Sequence, residues 1–445
     1  MNNKRTHKTV KTLLGPFLGL LMCYTFMNAQ ELPTMKSRMN REKLNVGTYF
    51  LQKYASSEAH VKDLAACGID FVICMRNDRT TLDLFSKYHV GAVVTDVLPH
   101  WWGGDGNNAG QLAKKYPLTN CDKAAKGFRD HPAIWGIDIG DEPSALDFPF
   151  YGKIYSRVNK LFPHQFPYLN LYPNYASVSE NSAQQTTSQL GTTSYTEHIA
   201  QYCKNVPADY ICYDFYLYSI NVPSAYENLR VVSDACIGTK RSMWIVLQVN
   251  SKDEKQWISE NELRFQAYTA MAFGAENIIW ACYTAGWWNN QVLDDKGNKT
   301  QQYDKLKKVN AEIHLLGNEY MKYRRTATTF VGFEGTDWLK NVKQTSYASL
   351  NNGVFTDVCA EDGSPLVIGS MVSRSGNGNS ALFICSADDP YDKAPKQHIV
   401  RFKADNNKII KAYSGSGEIN AKLENGYYTI PIASNGGIVV EANVK

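Results

Sequence analysis

A chain of 445 residues is long enough for one large domain and a smaller one. Its formal net charge of +4, spread without long basic runs, excludes a nucleic-acid partner held by electrostatics. Hydrophobic content of 44% is ordinary for a globular protein, whereas aromatic content of 12%, with 27 Tyr and 9 Trp, fits either a bulky core or rings lining a sugar cleft.

Lys4, Arg5, Lys8 and Lys11 precede an apolar stretch from Leu13 to Phe26, and Asn28-Ala29-Gln30 follows. Basic residues, a short apolar region and a small residue at the cut predict a signal peptide over 1–29, cleaved after Ala29, and hence export to the periplasm, cell surface or medium. Cys23 raises lipidation, but Met22 is a poor residue before a lipidated cysteine. The apolar stretch is too short for a comfortable membrane span, and no other segment could cross a bilayer. Of ten cysteines nine remain after the cut, with no CxxC pair, HExxH or Cys/His ligand spacing, so neither metal nor cofactor is expected. Cys67, Cys74, Cys212 and Cys282 sit in apolar runs as small core residues. Cys359 and Cys385 are the pair the C-terminal region offers for a bridge.

After a polar linker over 30–43, strand and helix signals alternate. Strands are predicted over Leu44–Leu51, Ile69–Met75, Val90–Leu98, Ile134–Pro143, Tyr168–Tyr172, Asp209–Tyr216, Met243–Val249 and Asn277–Tyr283. Helices are predicted over Glu58–Cys67, Leu82–Tyr88, Asp122–Arg129, Phe150–Leu161, Tyr195–Cys203, Ala225–Cys236, Glu260–Phe273 and Tyr303–Tyr323. Eight such units in about 280 residues match a (β/α)8 TIM barrel, placed at 44–325. A doubly wound open sheet is the alternative, but it would call for a Gly-rich phosphate loop after an early strand, and none is present. From 326 to 445 short alternating runs (Leu366–Val372, Ala381–Cys385, Tyr427–Ile432, Gly437–Glu441) and the hairpin signal SGNGNS at Ser375–Ser380 predict an all-β sandwich.

IWGIDIGDEP, Ile134 to Pro143, is the stretch that carries chemistry. An apolar run reads as a buried parallel strand, and charges on it are tolerable only at its open end. In a barrel that end faces a shared pocket. Asp96, Asp141, Glu142, Asp214, Gln248 and Tyr283 are the strand-end candidates, and Trp101, Trp102, Tyr172, Tyr216, Tyr218, Trp287 and Trp288 are the rings around them. Two carboxylates in different environments beside an aromatic cleft are what glycoside hydrolysis requires.

GDEP at the end of the fourth strand resembles clan A glycoside hydrolases. The segment ENELRFQAYTAMAFGAENIIWACYTAGWW, Glu260 to Trp288, resembles the seventh helix and eighth strand of β-galactosidase-like (family 42-like) barrels. The resemblance spans Leu44 to Tyr323 and implies Glu142 as proton donor. Two departures stand out. Asp141 replaces the asparagine that clan members carry before the acid/base, and Gln248 stands where the seventh strand should end in a glutamate nucleophile. Asp253 and Glu254 lie several residues further on, in a loop. Asp214 in YDFYLY is therefore the expected second catalytic group, as a base acting on water with inversion, with a hydrogen-bond acceptor role as the alternative. Asp141, Trp101, Trp102, Tyr216, Gln248, Tyr283, Trp287 and Trp288 are expected to bind the sugar. The expectation is thus an exported glycoside hydrolase acting on an extracellular oligo- or polysaccharide. The rival, favoured by Gln248, is a glycan-binding protein on a degenerate barrel.

Overall fold

The computed structural model describes residues 37–445 apart from 100–108, 220, 335–338, 340, 341, 393 and 395. The expected signal peptide and the ring pair Trp101/Trp102 lie outside the described residues. Eight strands alternate with helices in the first part: β1 (Asn45–Tyr49), α1 (Glu58–Ala66), β2 (Phe71–Met75), α2 (Arg79–Lys87), β3 (Gly91–Val94), then α3 (Leu112–Lys115) and α4 (Thr119–Gly127) together, and β4 (Ile134–Asp141). They continue as α5 (Phe148–Leu161), β5 (Phe166–Leu171), α6 (Tyr195–Asn205), β6 (Tyr210–Phe215), α7 (Val222–Thr239), β7 (Ser242–Gln248), α8 (Glu260–Ala272), β8 (Ala275–Ala281) and α9 (Gln301–Tyr320). All neighbours pair parallel in chain order, and β8 closes on β1, as the (β/α)8 expectation required.

Local sequence explains where the helices begin. Ser57, Asp78, Ser194, Asn221, Ser259 and Thr300 each accept a backbone N–H of the first turn, and Ser259 with Glu262 forms a reciprocal capping box on α8. These caps place α2, α7 and α9 several residues earlier than apolar periodicity alone indicated. The strands are covered on both faces; every residue of β7, SMWIVLQ, is buried. β3 is shorter than expected and ends at Val94, because Asp96 turns to solvent and accepts the Asn77 N–H at 2.9 Å.

The second part begins with β9 (Tyr323–Val331), whose first residue the sequence reading placed at the end of the last helix. It joins a six-stranded sheet with β11 (Leu366–Ser373), β12 (Ser380–Ser386), β14 (Lys408–Ser414), β15 (Gly417–Ile419) and β18 (Gly437–Val444). The opposing sheet holds β10 (Phe355–Ala360), β13 (Gln397–Ala404), β16 (Lys422–Glu424) and β17 (Tyr427–Ala433). This is the antiparallel sandwich expected.

The six-stranded sheet has two dry faces. Leu366, Ile368, Leu382, Ile384 and Val440 turn into the sandwich core, while Val367, Met371, Ala381, Phe383 and Val439 turn into the core shared with the barrel. Phe383 meets Tyr268 of α8 and Tyr320 of α9 at ring-centroid distances of 6.2 and 5.5 Å. Gly369 is required at this junction, since a Cβ there would stand 2.5 Å from the Ala272 carbonyl oxygen. Barrel and sandwich accordingly belong to one compact unit. The bridge between Cys359 and Cys385 does not form: both are free, one in each sheet, and Cys385 is buried beside Thr269. Among the described residues no helix is long and apolar enough to cross a membrane.

Candidate active site

β4 is bent into the site by one irregularity. Asp138 pairs with Tyr168 and Asp141 with Asn170, with the register shifting between them. Tyr168 and Asn170 are two apart on β5 and share its inner face. A bulge therefore sends both Asp138 and Asp141 inward, three residues apart. Gly140 makes this possible, with a φ of 153° and no room for a Cβ, which would lie 2.2 Å from the Tyr151 hydroxyl. Glu142 follows with a φ of 43°, a left-handed value uncommon for a side-chain-bearing residue, and its N–H donates to the Asn170 carbonyl at 3.0 Å. That conformation turns the chain out of the strand before Pro143, which can make no ladder bond.

Asn170 is the centre of the cluster. Its Nδ2 donates to Asp214 Oδ1 at 2.8 Å and to Asp141 Oδ1 at 3.2 Å. The Cys212 thiol donates to its Oδ1 at 3.5 Å, fixing which way the amide faces. The two acceptor oxygens therefore stand no farther apart than these two bonds laid end to end. Asp214 is 3% exposed. Burial, and then the charge of Asp141, push its pKa up to about 7 against the Asn170 bond, which favours the anion. Asp138 is held separately, accepting Thr95 Oγ1 at 3.1 Å and the Gly140 N–H at 3.0 Å.

Rings close over the acids. Tyr216, two residues beyond Asp214, meets Trp288 and Trp287 edge-on at 4.8 and 5.9 Å. Trp287 also packs against Tyr49 and Phe50, and the Lys252 ammonium lies 5.3 Å from the Trp288 ring centroid. Tyr49 donates or accepts a 2.8 Å bond with Tyr168 at the floor, and the charge of Asp141 acts on it. Tyr175, 40% exposed, packs against Phe215 and is acted on by both Asp214 and Glu142, so it borders the two.

No protein-family model matches the chain, and no curated protein sequence matches it. Solved structures with a similar chain path include a glycoside hydrolase family 30 subfamily 8 xylanase from Clostridium acetobutylicum, 11% identical, with 90% of this chain and 96% of that chain covered and a TM-score of 0.45. A glucosidase from Croceicoccus marinus is 8% identical over 92% of this chain and 96% of its own, with a TM-score of 0.41. A family 5 mannosidase from Rhizomucor miehei is 12% identical over 62% and 94%, with a TM-score of 0.41. Likeness at this level says nothing about the reaction, and the xylanase and the mannosidase belong to families 30 and 5, not to the β-galactosidase-like one.

Of the residues expected from sequence, Asp141, Glu142, Asp214, Tyr216, Trp287 and Trp288 are brought to one mouth. Gln248 reaches it as a brace: its Oε1 accepts the Tyr218 N–H at 3.1 Å and its Nε2 donates to the Asn250 carbonyl at 2.9 Å. Tyr283 is not brought there. It is fully buried behind the barrel wall, where Cys67, Tyr303 and Asp63 are the groups that act on it. The eighth strand ends two residues before it, so it falls on the helix side rather than the mouth. Tyr172 likewise lies beside His198 of α6, ring centroids 6.5 Å apart. Asp96 is exposed and caps a loop. Asn170, Asp138, Tyr49 and Tyr175 were missed. Asn170 carried the same signal as Asp214, a polar residue in the last turn of an apolar strand; Tyr175 carried none. Among the described residues, no group of three or more His, Cys, Asp or Glu side chains could hold a metal ion.

Proposed function

We propose that the protein hydrolyses O-glycosidic bonds of an extracellular oligo- or polysaccharide, exported by its N-terminal signal. The observation that carries this reading is the Asp141–Asn170–Asp214 arrangement under an aromatic rim, with Glu142 at its edge. A carboxyl group that keeps its proton near neutral pH can protonate a leaving oxygen, and a second, charged carboxylate can attack or activate water. The geometry supports a division of labour opposite to the one read from sequence. Asp214 holds the transferable proton, because it is buried against Asp141. Glu142, half-buried at the opening, takes the role of the second carboxylate.

Leaving-group dependence tests the assignment. Asp214→Asn should cut turnover of glycosides with poor leaving groups by about 10²–10⁴-fold and spare substrates with activated leaving groups. Glu142→Gln should cut both. The opposite pattern would restore Glu142 as the acid; full activity in both variants would remove both residues from the mechanism, and no turnover of any glycoside by the wild type would end the glycosidase reading.

Gln248 favours the second reading, a protein that binds glycan without cleaving it. Both ends of its amide are used to brace loops, so the end of β7 supplies no nucleophile. Binding of glycans without release of any product, in wild type as in the variants, would select it.

A further inference from the structure

One ring of the sandwich reaches the rim of the barrel mouth. The turn after β12 is pinned at several points. Asp388 accepts the Ser386 hydroxyl at 3.1 Å and pairs with His398 Nε2 at 2.7 Å, Asp389 accepts the Tyr391 N–H at 2.9 Å, and the Asp392 N–H donates to the Asp389 carbonyl at 3.1 Å. At its tip Tyr391 is 53% exposed, yet its ring stands edge-on to Tyr218 with centroids 5.6 Å apart. Tyr218 belongs to the loop after β6, gives its N–H to Gln248 and its hydroxyl to the Glu262 carbonyl at 2.7 Å. Glu262 lies in the first turn of α8 and acts on Tyr391. These partners put Tyr391 over the sector of the C-terminal barrel face between β6 and α8; Tyr218 shares its loop with Tyr216, which meets Trp287 and Trp288 beside the acids.

We propose that Tyr391, supplied by the sandwich, is a distal binding position for a glycan chain that leaves the barrel mouth across its β6–α8 side. The proposal rests on the glycoside-hydrolase reading and narrows its substrate to a chain of several sugars. A Tyr ring has an apolar face and a polar tip, the combination that meets a sugar's C–H face and its hydroxyls. A single exposed ring is ordinary on a protein surface; this one stands against Tyr218 at the barrel face while half of it stays open to solvent. Tyr391 is not alone on this face. Tyr54 is 38% exposed and accepts the Ala285 N–H at 3.1 Å in the loop after β8, and Tyr175 borders Asp214, so exposed tyrosines stand at three places around one opening. A role confined to joining the two domains would leave the ring covered, as Phe383 is.

The test is calorimetric binding to the full chain. Wild type, Tyr391→Ala and Tyr391→Phe are titrated with β-1,4-linked gluco-, manno- and xylo-hexasaccharides and with the matching disaccharides, alongside hydrolysis of aryl glycosides. For the hexasaccharide that binds, Tyr391→Ala should weaken affinity by about tenfold, Tyr391→Phe should retain it, and disaccharide binding and melting temperature should not move. Unchanged hexasaccharide affinity in Tyr391→Ala would overturn the proposal, and so would an equal loss for both sugar lengths with a lower melting temperature. Hydrolysis of aryl glycosides with no hexasaccharide binding would overturn it alone; absence of both would remove the glycoside-hydrolase reading with it.

Discussion

The barrel and the sandwich each hold two carboxylates around one buried polar side chain, and the two clusters behave oppositely. In the sandwich, His398 has a side chain 2% exposed, with Nδ1 2.7 Å from Asp362 and Nε2 2.7 Å from Asp388. Two carboxylate acceptors, one at each ring nitrogen, favour the form in which both nitrogens donate, the imidazolium. Burial disfavours that charge, but the two carboxylates outweigh it and raise the pKa of His398. In the barrel mouth the central residue is Asn170, which is neutral. Burial, and then the charge of Asp141, raise the pKa of Asp214 to about 7. A cluster centred on a histidine between two acids is a fastening; one centred on a neutral amide, with a carboxyl group whose pKa is raised toward neutrality, has the property that functional sites share.

The sharpest way to break this contrast is the stability of Asp214→Asn. Folding raises the pKa of Asp214 from 3.8 to about 7, so the native state binds the proton that the unfolded chain releases. Wild-type stability should then fall as pH rises between those values, and the asparagine variant should lack that slope. At pH 7 the variant should be more stable by up to roughly 4 kcal/mol, a margin that closes near pH 4. Urea titrations at several pH values read this directly, and equal slopes would show that Asp214 is not held protonated.

His398→Asn should have the opposite sign. It removes the cation between two acids and should cost about 3 kcal/mol, less than a fully buried pair because Asp362 is half-exposed. The raised histidine pKa makes the wild-type advantage complete below the ordinary value of 6.5, and it should shrink as pH climbs through the folded value. An advantage that instead grows with pH, followed by the same titrations, would mean the ring is neutral.

Trp288→Ala is expected to be the smallest effect on stability, under about 1 kcal/mol, because the ring is half-buried in a loop rather than in the core, where loss of an aromatic costs about 3–5 kcal/mol. Sugar binding should still weaken measurably by titration. A core-sized drop in melting temperature would move the ring from the cleft to the scaffold.

The catalytic candidates all lie before Tyr323, yet a shortened chain ending there would lose the sheet that covers its outer helices. Cutting there strips Tyr268, Tyr320 and Phe273 of the sheet residues that cover them, including Phe383 and Phe330. Strand β9 starts at Tyr323 itself, so the cut also falls inside a hydrogen-bonded element.

Much of the barrel was legible because its signals are local. Apolar runs such as SMWIVLQ, caps such as Ser259 with Glu262, and regular alternation each act over a few residues, and together they specify a closed parallel sheet without any knowledge of contacts. The carboxylates at the strand ends were legible for the same reason: Asp141, Glu142 and Asp214 are charges in segments that otherwise exclude them. What sequence could not decide is which face each end residue takes, since a single bulge at Gly140 resets the alternation and turns Asp141 inward. Tyr283 and Tyr172 were misplaced by that ambiguity. The partnership of Asn170 with both acids joins three strands, and only the closed barrel brings them within hydrogen-bonding reach. The proton on Asp214 is likewise a tertiary property, because it depends on burial and on the nearness of a charge 73 positions away in the chain. Strand and cap are written in neighbouring residues; register, burial and charge balance arise only when distant segments meet.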